Sequence, residues 1–359
     1  EVLGSWKARG EDADVITVVQ GLRNKLGTAT EVVYVRGCDF LDTKTNEFAQ
    51  ARQAAANADV VIAVVGEKAL MSGESRSRAF LSLPGLQQQL IDTLKTTGKP
   101  LVTVLMNGRP LTLGHVNEQT DALLEAWFPG TQCGNAVADV LFGDVNPSGK
   151  LTVSFPYAEG QIPNHYNYRR SGRPGDMEQT STVRHIDLKN KNLFPFGYGL
   201  SYTSFAYGAV ECASRFDANG HLKVAVNVTN TGERDGEETV QLYVADKVAS
   251  MVRPVKELKG FKKVSIKRGE TQRVEFDLHV RDLGFYTNSM KYVVEPGAFQ
   301  LLTAQLKLCS FGAIDHEEFV AQIYDLRGRQ VLGGGESTTA TKDVNVELFH
   351  GNCRGVLKR

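Results

Sequence analysis

A charged loop follows a continuous apolar segment early in the sequence. Residues 59–65, DVVIAVV, are typical of a strand buried on both faces of a sheet. The loop at residues 66–78 is longer than a plain connection and carries Glu74 beside Gly73. Because ligands in open α/β sheets bind beyond the carboxyl ends of the strands, Glu74 is a candidate for proton transfer. A merely solvated glutamate would show the same pattern, so the residues alone leave its role open.

Three further polar side chains are placed to share that edge of the sheet. Arg78 ends the loop and could either hold it or contact a ligand. Asn107 and Arg109 follow the apolar segment at residues 101–105, the next predicted buried strand. Residues that only pack against the sheet or cap a strand end would occur at the same positions. Arg78, Asn107 and Arg109 are therefore candidate substrate-binding residues with a structural alternative.

Sequence motifs for nucleotides, metals and serine hydrolases are absent. Residues 143–150, GDVNPSGK, have five residues rather than four between the glycines, and Leu151 follows the lysine, so they do not match a phosphate loop. No GxGxxG follows a predicted strand, and no GxSxG elbow occurs. The five cysteines and seven histidines are dispersed, without a CxxC pair or an HExxH sequence. We therefore expect no metal site.

Charge and composition exclude several classes of protein. The 41 basic and 41 acidic side chains give no net attraction to nucleic acid or to an anionic membrane surface. Hydrophobic residues make up 42% of the sequence, which argues against wholesale disorder. No run of about 18 apolar residues occurs that could cross a membrane. From the charge balance and this absence, we expect neither a nucleic acid nor a membrane as partner. The length of 359 residues predicts two or three domains.

Helical and strand-like patterns alternate through residues 1–158. Apolar residues recur with helical spacing in one set of segments and form short continuous runs in another. The predicted helices cover residues 12–26, 46–56, 84–97 and 135–141, and the predicted strands cover residues 31–35, 59–65, 101–105 and 122–127. This alternation favours an α/β sandwich, in which helices cover both faces of a mostly parallel sheet.

The second half of the sequence follows a different pattern. Residues 159–205 form an irregular connection whose aromatic and glycine-rich end, LFPFGYGLSYTSF, is expected to attach the next domain to the first. Residues 206–304 alternate with a period of two and are expected to form an all-β immunoglobulin-like sandwich. Its predicted strands cover residues 221–228, 238–245, 256–264 and 273–278. Residues 305–359 are a tail of uncertain character.

Six segments occur in the order and spacing of one enzyme family. Four of them are VVIAVVGEKALMSGESRSRAFLSLPGLQQQLIDTL, GKPLVTVLMNGRPL, AWFPGTQCGNAVADVLFGDVNPSGKLTVSFP and LFPFGYGLSYTSF. The other two, NVTNTGERDGEETVQLYV and RPVKELKGFKKVSIKRGETQRVEF, lie in the predicted sandwich. Over residues 1–304 the chain resembles glycoside hydrolase family 3, most of all its bacterial β-glucosidases and β-xylosidases. The first four segments are similar to the family's α/β sandwich domain, and the last two to its fibronectin type III-like domain.

The resemblance implies a retaining β-glycosidase that hydrolyses terminal, non-reducing β-linked sugars of an oligosaccharide or a β-glycoside. In this family the general acid/base is a glutamate in the loop that corresponds to residues 66–78 here, and Glu74 matches its position. The nucleophilic aspartate lies on a (β/α)8 barrel in a Ser-Asp-Trp-like motif, whereas Trp6 and Trp127 stand in Gly-Ser-Trp and Glu-Ala-Trp. The barrel domain is therefore expected to be missing from this sequence and to pack on the α/β domain.

The resemblance also implies a location and the absence of cofactors. The family's bacterial members suggest a periplasmic or secreted protein, although no charged and then apolar leader follows Glu1. Retaining hydrolysis needs only carboxyl groups and water, so neither a metal nor an organic cofactor is implied.

Two alternatives to a partial glycosidase remain open from the sequence. The chain could be a non-catalytic carbohydrate-binding or scaffold protein that retains these two domains. It could also be a complete enzyme that pairs Glu74 with a second carboxyl group of its own. Glu67 and Asp59 are the nearest in sequence, but Asp59 begins a predicted buried strand.

Overall fold

The computed structural model describes residues 2–173, 181–188, 191–213, 219–295, 298–303 and 323–325. Within these ranges, helices and parallel strands occupy the first part of the chain, and antiparallel strands occupy the rest. The predicted tail at residues 305–359 lies outside the described residues, apart from residues 323–325.

Three parallel strands of the described chain form the first sheet. They are β1 (Val61–Gly66), β2 (Leu101–Met106) and β3 (Ala122–Glu125), and they lie side by side in that order. Every residue of β2 is buried. The continuous apolar run thus forms a central strand that is covered on both faces.

Helices cover both faces of this sheet. Within the described residues they are α1 (Val18–Leu26), α2 (Phe48–Asn57), α3 (Gln87–Lys95), α4 (Gly114–Gln119) and α5 (Cys133–Phe142). Leu101 and Leu105 of β2 lie in one apolar core with residues of α2 and α3. Val104 and Met106 lie in a second core with residues of α1 and α5. Alternate side chains of β2 therefore point into opposite cores, and the predicted α/β sandwich is confirmed.

The segment at residues 31–35 does not form the predicted strand. Val33 and Tyr34 are exposed, and none of these residues belongs to a strand of the described chain. Val32 and Val35 nevertheless pack against the two different apolar cores. The segment therefore buries part of its apolar surface without strand pairing of its backbone.

The first predicted helix is shorter than expected. The apolar spacing predicts a helix over residues 12–26, but α1 begins at Val18. The side-chain oxygen of Thr17 accepts a hydrogen bond of 3.2 Å from the amide of Gln20, which caps the first turn. A threonine cap thus sets the helix start, and Gly27 follows its last residue as predicted.

Antiparallel strands form the second region. In chain order they are β4 (Phe205–Cys212), β5 (His221–Asn230), β6 (Gly236–Asp246), β7 (Glu257–Ile266), β8 (Thr271–His279), β9 (Phe285–Tyr286), β10 (Tyr292–Val293), β11 (Ala298–Thr303) and β12 (Ile323–Asp325). One sheet has the order β4-β5-β8, a second has the order β12-β11-β6-β7, and β9 pairs with β10. Apolar side chains such as Val226, Leu242 and Phe276 fill one core between the two larger sheets. The predicted immunoglobulin-like sandwich is confirmed.

The two regions are joined through the buried side chain of Glu238 on β6. Its Oε2 lies 3.1 Å from Lys150 Nζ, and its Oε1 accepts a hydrogen bond of 2.8 Å from the hydroxyl of Tyr207. Lys150 also donates to the carbonyl of Gly199 at 2.8 Å. Because Lys150 precedes the irregular connection and Glu238 belongs to the sandwich, this ion pair ties the two regions together.

Aromatic rings of the irregular connection lie at the same junction. Phe196 stacks on Tyr166 with ring centroids 4.0 Å apart. Both rings contact Tyr243 of β6 edge-on. Aromatic burial of this kind stabilises a domain interface. The aromatic end of the connection thus packs against β6 of the sandwich.

Replacing Lys150 by methionine is expected to lower the free energy of unfolding by about 3 kcal/mol, because a buried carboxylate would lose its cation. The side chain of Glu238 is only 8% exposed. Urea denaturation followed by circular dichroism measures the change. Lys7→Met is the control, because the Lys7–Asp12 pair is exposed and its loss should leave the midpoint unchanged. Equal midpoints for both variants would show that the buried pair adds nothing to stability.

Candidate active site

The carboxyl ends of three parallel strands bring three polar side chains to one edge of the sheet. Glu67 follows β1, Asn107 follows β2, and Glu125 is the last residue of β3. The amide of Glu67 donates a hydrogen bond of 2.8 Å to the carbonyl of Met106, and Glu125 pairs with Leu105. Open parallel sheets place their ligand-binding and catalytic groups at this edge.

Glu67 is buried and paired with two guanidinium groups. Its side chain is 0% exposed. Its Oε1 lies 2.7 Å from Arg78 Nη1 and 3.1 Å from Arg109 Nε, and its Oε2 accepts a hydrogen bond of 3.3 Å from the amide of Gly108. A carboxylate with these partners is not placed to attack a substrate. Asp59, the other carboxylate considered from the sequence, precedes β1 and therefore lies at the opposite end of the strand.

Arg109 connects Glu67 to the loop that carries Glu74. Its Nη2 donates to the carbonyl of Met71 and, at 2.8 Å, to the carbonyl of Arg76. These two carbonyls flank Glu74 in the sequence. The guanidinium group of Arg109 therefore closes the base of the loop.

The other two predicted site residues are also held by main-chain groups. Arg78 Nη2 donates at 2.9 Å to the carbonyl of Ser82. Asn107 is fully buried, and its Nδ2 donates at 2.6 Å to the carbonyl of Arg109. Its Oδ1 has no hydrogen-bond partner among the described residues. The structure thus brings Arg78, Asn107 and Arg109 together at this edge, with hydrogen-bond donors of each directed at protein atoms.

Glu125 is a half-buried residue whose carboxyl group the sequence pattern does not single out. Its Oε1 accepts a hydrogen bond of 2.9 Å from the amide of Trp127, and its Oε2 has no partner in the described part of the chain. Burial raises the pKa of Glu125 to about 8, and the negative charge of Glu67 acts in the same direction. The hydrogen bond from the amide of Trp127 and the polar side chain of Asn107 act against the shift. Glu125 is therefore mostly protonated at neutral pH.

The strand that carries Glu125 ends earlier than its composition predicts. The predicted strand covers residues 122–127, but β3 ends at Glu125. Trp127 has a φ of +53°, which is outside the extended region of backbone conformations. The only sequence signal for this acid is a carboxylate at the end of an otherwise apolar strand.

Glu74 lies at the exposed tip of its loop. Its neighbours have positive φ values, +113° at Gly73 and +58° at Ser75. Such a conformation is strained for a serine, and strain of this kind is found at functional sites. A Cβ on Gly73 would lie 2.6 Å from Ser5 Oγ and 3.0 Å from Trp6 Nε1, so the loop rests closely on the N-terminal segment. Glu74 itself is exposed.

The site is built from carboxyl, guanidinium and amide groups. Across the ranges that the structure describes, no three His, Cys, Asp or Glu side chains come together as a metal ion would require. None of the helices in those ranges combines the length and apolar character that crossing a membrane demands.

Known glycosidases share both the sequence and the structure of this chain. The periplasmic β-glucosidase of Salmonella typhimurium is 45% identical over 338 residues, which cover 87% of this chain and 44% of that protein. A β-xylosidase of Formosa agariphila is 42% identical over 287 residues, which cover 80% of this chain and 39% of that protein. The crystal structure of a β-glucosidase from Listeria innocua in complex with isofagomine matches with a TM-score of 0.80 and 37% identity, covering 91% of this chain and 44% of that one.

Two family models match most of the sequence. The model of the glycosyl hydrolase family 3 C-terminal domain matches residues 1–202, and that of a fibronectin type III-like domain matches residues 238–305. The chain spans less than half the length of the relatives named above. With its parallel sheet, its sandwich and these matches, the chain belongs to glycosyl hydrolase family 3.

Proposed function

We propose that this chain is the C-terminal part of a retaining β-glycosidase and that Glu74 is its general acid/base. The observation that supports this role is the exposed carboxyl group at the tip of the loop after β1, between two residues with positive φ. The substrate is a terminal, non-reducing β-linked glucosyl or xylosyl residue of an oligosaccharide or a β-glycoside. This class follows from the relatives, which are named as β-glucosidases and β-xylosidases.

Glu74 acts twice in this mechanism. In the first step a nucleophilic carboxylate attacks the anomeric carbon, the glycosidic C–O bond breaks, and Glu74 donates its proton to the leaving oxygen. In the second step Glu74 takes a proton from water, whose oxygen attacks the anomeric carbon and releases the nucleophile. The two carboxyl groups of retaining enzymes lie about 5–5.5 Å apart.

The nucleophile belongs to another domain in this proposal. A Ser-Asp-Trp-like motif does not occur in the 359 residues. Within the chain, Glu67 is buried and ion-paired, and Asp59 lies at the far end of β1. We assign the nucleophile to a (β/α)8 barrel domain that packs on the α/β domain beside Glu74.

Large apolar side chains near the loop provide a surface for this barrel. Trp6, Leu70 and Phe80 are 72%, 70% and 73% exposed. Leu70 lies in the loop, Phe80 follows it, and Trp6 lies against Gly73. Large exposed apolar groups near a polar site are typical of interaction surfaces. A barrel that covers them excludes water from the surroundings of Glu74.

The location and the cofactor requirement follow from the same proposal. The Salmonella relative is named as a periplasmic enzyme, which supports a periplasmic or secreted location for this protein. The reaction uses two carboxyl groups and water, so it needs neither a metal ion nor an organic cofactor.

The test is to combine the purified chain with a separately produced barrel domain from a family 3 relative. Hydrolysis of an aryl β-glucoside or an aryl β-xyloside is expected only when both are present, because each supplies one of the two carboxyl groups. The chain alone and the barrel alone are the controls. Turnover by the chain alone would place both carboxyl groups within it.

Binding without turnover would favour the second candidate function. Calorimetry measures whether the chain binds the barrel and whether it binds a β-linked oligosaccharide. A complex that forms but hydrolyses neither substrate would identify the chain as a non-catalytic carbohydrate-binding or scaffold protein.

A further inference from the structure

A single buried carboxylate stands at the centre of the contacts that hold the Glu74 loop. Glu67 Oε1 lies 2.7 Å from Arg78 Nη1 and 3.1 Å from Arg109 Nε, and Gly108 donates its amide to Oε2. A buried charge is costly unless it is paired and hydrogen-bonded, and this carboxylate has both kinds of partner. These contacts fix the orientation of both guanidinium groups.

The same guanidinium groups bind the backbone around Glu74. Arg109 donates from Nη2 to the carbonyls of Met71 and Arg76, which bracket Glu74. A guanidinium group carries its donors in a rigid planar fork. Its orientation at Glu67 therefore determines where the two sides of the loop meet.

Arg78 fixes the exit of the loop in the same way. Its Nη1 contacts Glu67, while its Nη2 donates at 2.9 Å to the carbonyl of Ser82. The tip of the loop, in contrast, is exposed. The placement of Glu74 therefore depends on anchors at the base of the loop, and both arginine anchors converge on Glu67.

We propose that Glu67 is a positioning residue that sets the placement of Glu74 for catalysis. This inference rests on the role of Glu74 proposed above. Glu67 touches no substrate and acts through Arg78 and Arg109. When its charge is removed, the two arginines lose their common partner and the loop samples more conformations. A displacement of about 1 Å at a catalytic group can cost about 10²-fold in rate.

Hydrogen exchange on the chain by itself tests the positioning. Glu67→Gln keeps the shape of the side chain and removes its charge. The amides of residues 68–78 are expected to exchange at least about tenfold faster in this variant, because the loop opens more often. Glu238→Gln is the matched control, since Glu238 is also a buried carboxylate paired with a cation but lies at the sandwich interface. It should leave the loop amides unchanged.

Arg109→Lys is the second variant. If Glu67→Gln does not fold, this variant tests whether the link from Glu67 through Arg109 holds the loop. Lysine keeps a positive charge near Glu67 but lacks the fork that joins Glu67 to two carbonyls. The amides of residues 71–76 are expected to exchange faster in this variant as well. If the amides of residues 71–76 exchange at the same rate in every folded variant as in the unaltered chain, the positioning role of Glu67 is overturned.

Kinetics of the chain with the barrel measure how kcat/KM depends on the leaving group. A loss of stability would not change this dependence. A phenyl β-glycoside needs protonation of its leaving group, whereas a dinitrophenyl β-glycoside does not. Glu67→Gln is expected to lower kcat/KM by about 10²-fold on the first and by less than about threefold on the second. Equal losses on both substrates would overturn the proposal, because unfolding removes activity on both alike.

The two proposals can fail separately. If the unaltered chain with the barrel hydrolyses neither glycoside, the role of Glu74 is refuted. The exchange rates of residues 68–78 still decide whether Glu67 holds the loop. If hydrolysis occurs and Glu67→Gln changes neither the exchange rates nor the leaving-group dependence, the role of Glu74 stands and that of Glu67 falls.

Discussion

Glu74→Ala is expected to lower kcat/KM of the chain with its barrel by about 10²–10⁴-fold on an aryl β-glucoside with a poor leaving group. In the proposed mechanism, this variant lacks the group that protonates the glycosidic oxygen and takes a proton from water. The fold should not change, because the side chain of Glu74 is exposed and makes no contribution to either apolar core. Steady-state kinetics on the two forms measure the loss.

Sodium azide separates the loss of an acid/base from other damage. Azide needs no general base, so it can attack the glycosyl-enzyme intermediate and release a β-glycosyl azide. On a dinitrophenyl β-glycoside, which forms this intermediate without acid assistance, an increase in rate with azide and the appearance of this product are expected for Glu74→Ala only. Glu118→Ala is the matched control, because Glu118 is an exposed glutamate on α4. A Glu74→Ala variant with unchanged kcat/KM would refute the assignment.

The free energy of unfolding should fall as pH rises from about 4.5 to about 8, and Glu125→Gln should remove much of this dependence. Burial raises the pKa of Glu125 from 4.5 to about 8 in the folded chain. Between these two values the folded state binds more protons than the unfolded state. The contribution of this proton to the free energy of unfolding is fully present below about pH 4.5. It is lost at about 1.4 kcal/mol per pH unit up to about pH 8.

Urea denaturation at several pH values between 4.5 and 9 measures this effect. Glutamine has the shape of the protonated acid and stays neutral, so Glu125→Gln should gain stability over the unaltered chain as pH rises. Glu118→Gln is again the control, because an exposed glutamate should not change the slope. If the unaltered chain and Glu125→Gln lose stability in parallel, Glu125 is not the group that retains the proton.

The sheet and the position of the Glu74 loop are predictable because strands that are buried on both faces contain almost only uncharged, mostly apolar residues. Residues 101–105 contain no charged group, and β2 is buried along its whole length. The β-branched segment at residues 31–35 looks similar but forms no strand in the described chain. Strand formation needs a neighbouring strand with free backbone groups, and a short segment does not encode that neighbour.

The different environments of Glu67 and Glu74 are not predictable from the local sequence. The two glutamates lie in one loop, yet the first is buried and the second is exposed. The difference arises from Arg109, which is 42 positions beyond Glu67 and reaches it only when β1 and β2 are paired. The pKa shift of Glu125 likewise depends on packing that brings distant segments over one carboxyl group.

The ion pair between Lys150 and Glu238 limits how freely the two domains can be recombined with those of relatives. A chimera with a junction near residue 205 would leave Lys150 facing a foreign β6 and would separate Phe196 from Tyr243. Such a junction cuts through shared side-chain packing, even though it falls at the start of a strand. The unit that can be exchanged between family members is therefore the pair of domains, with their junction kept intact.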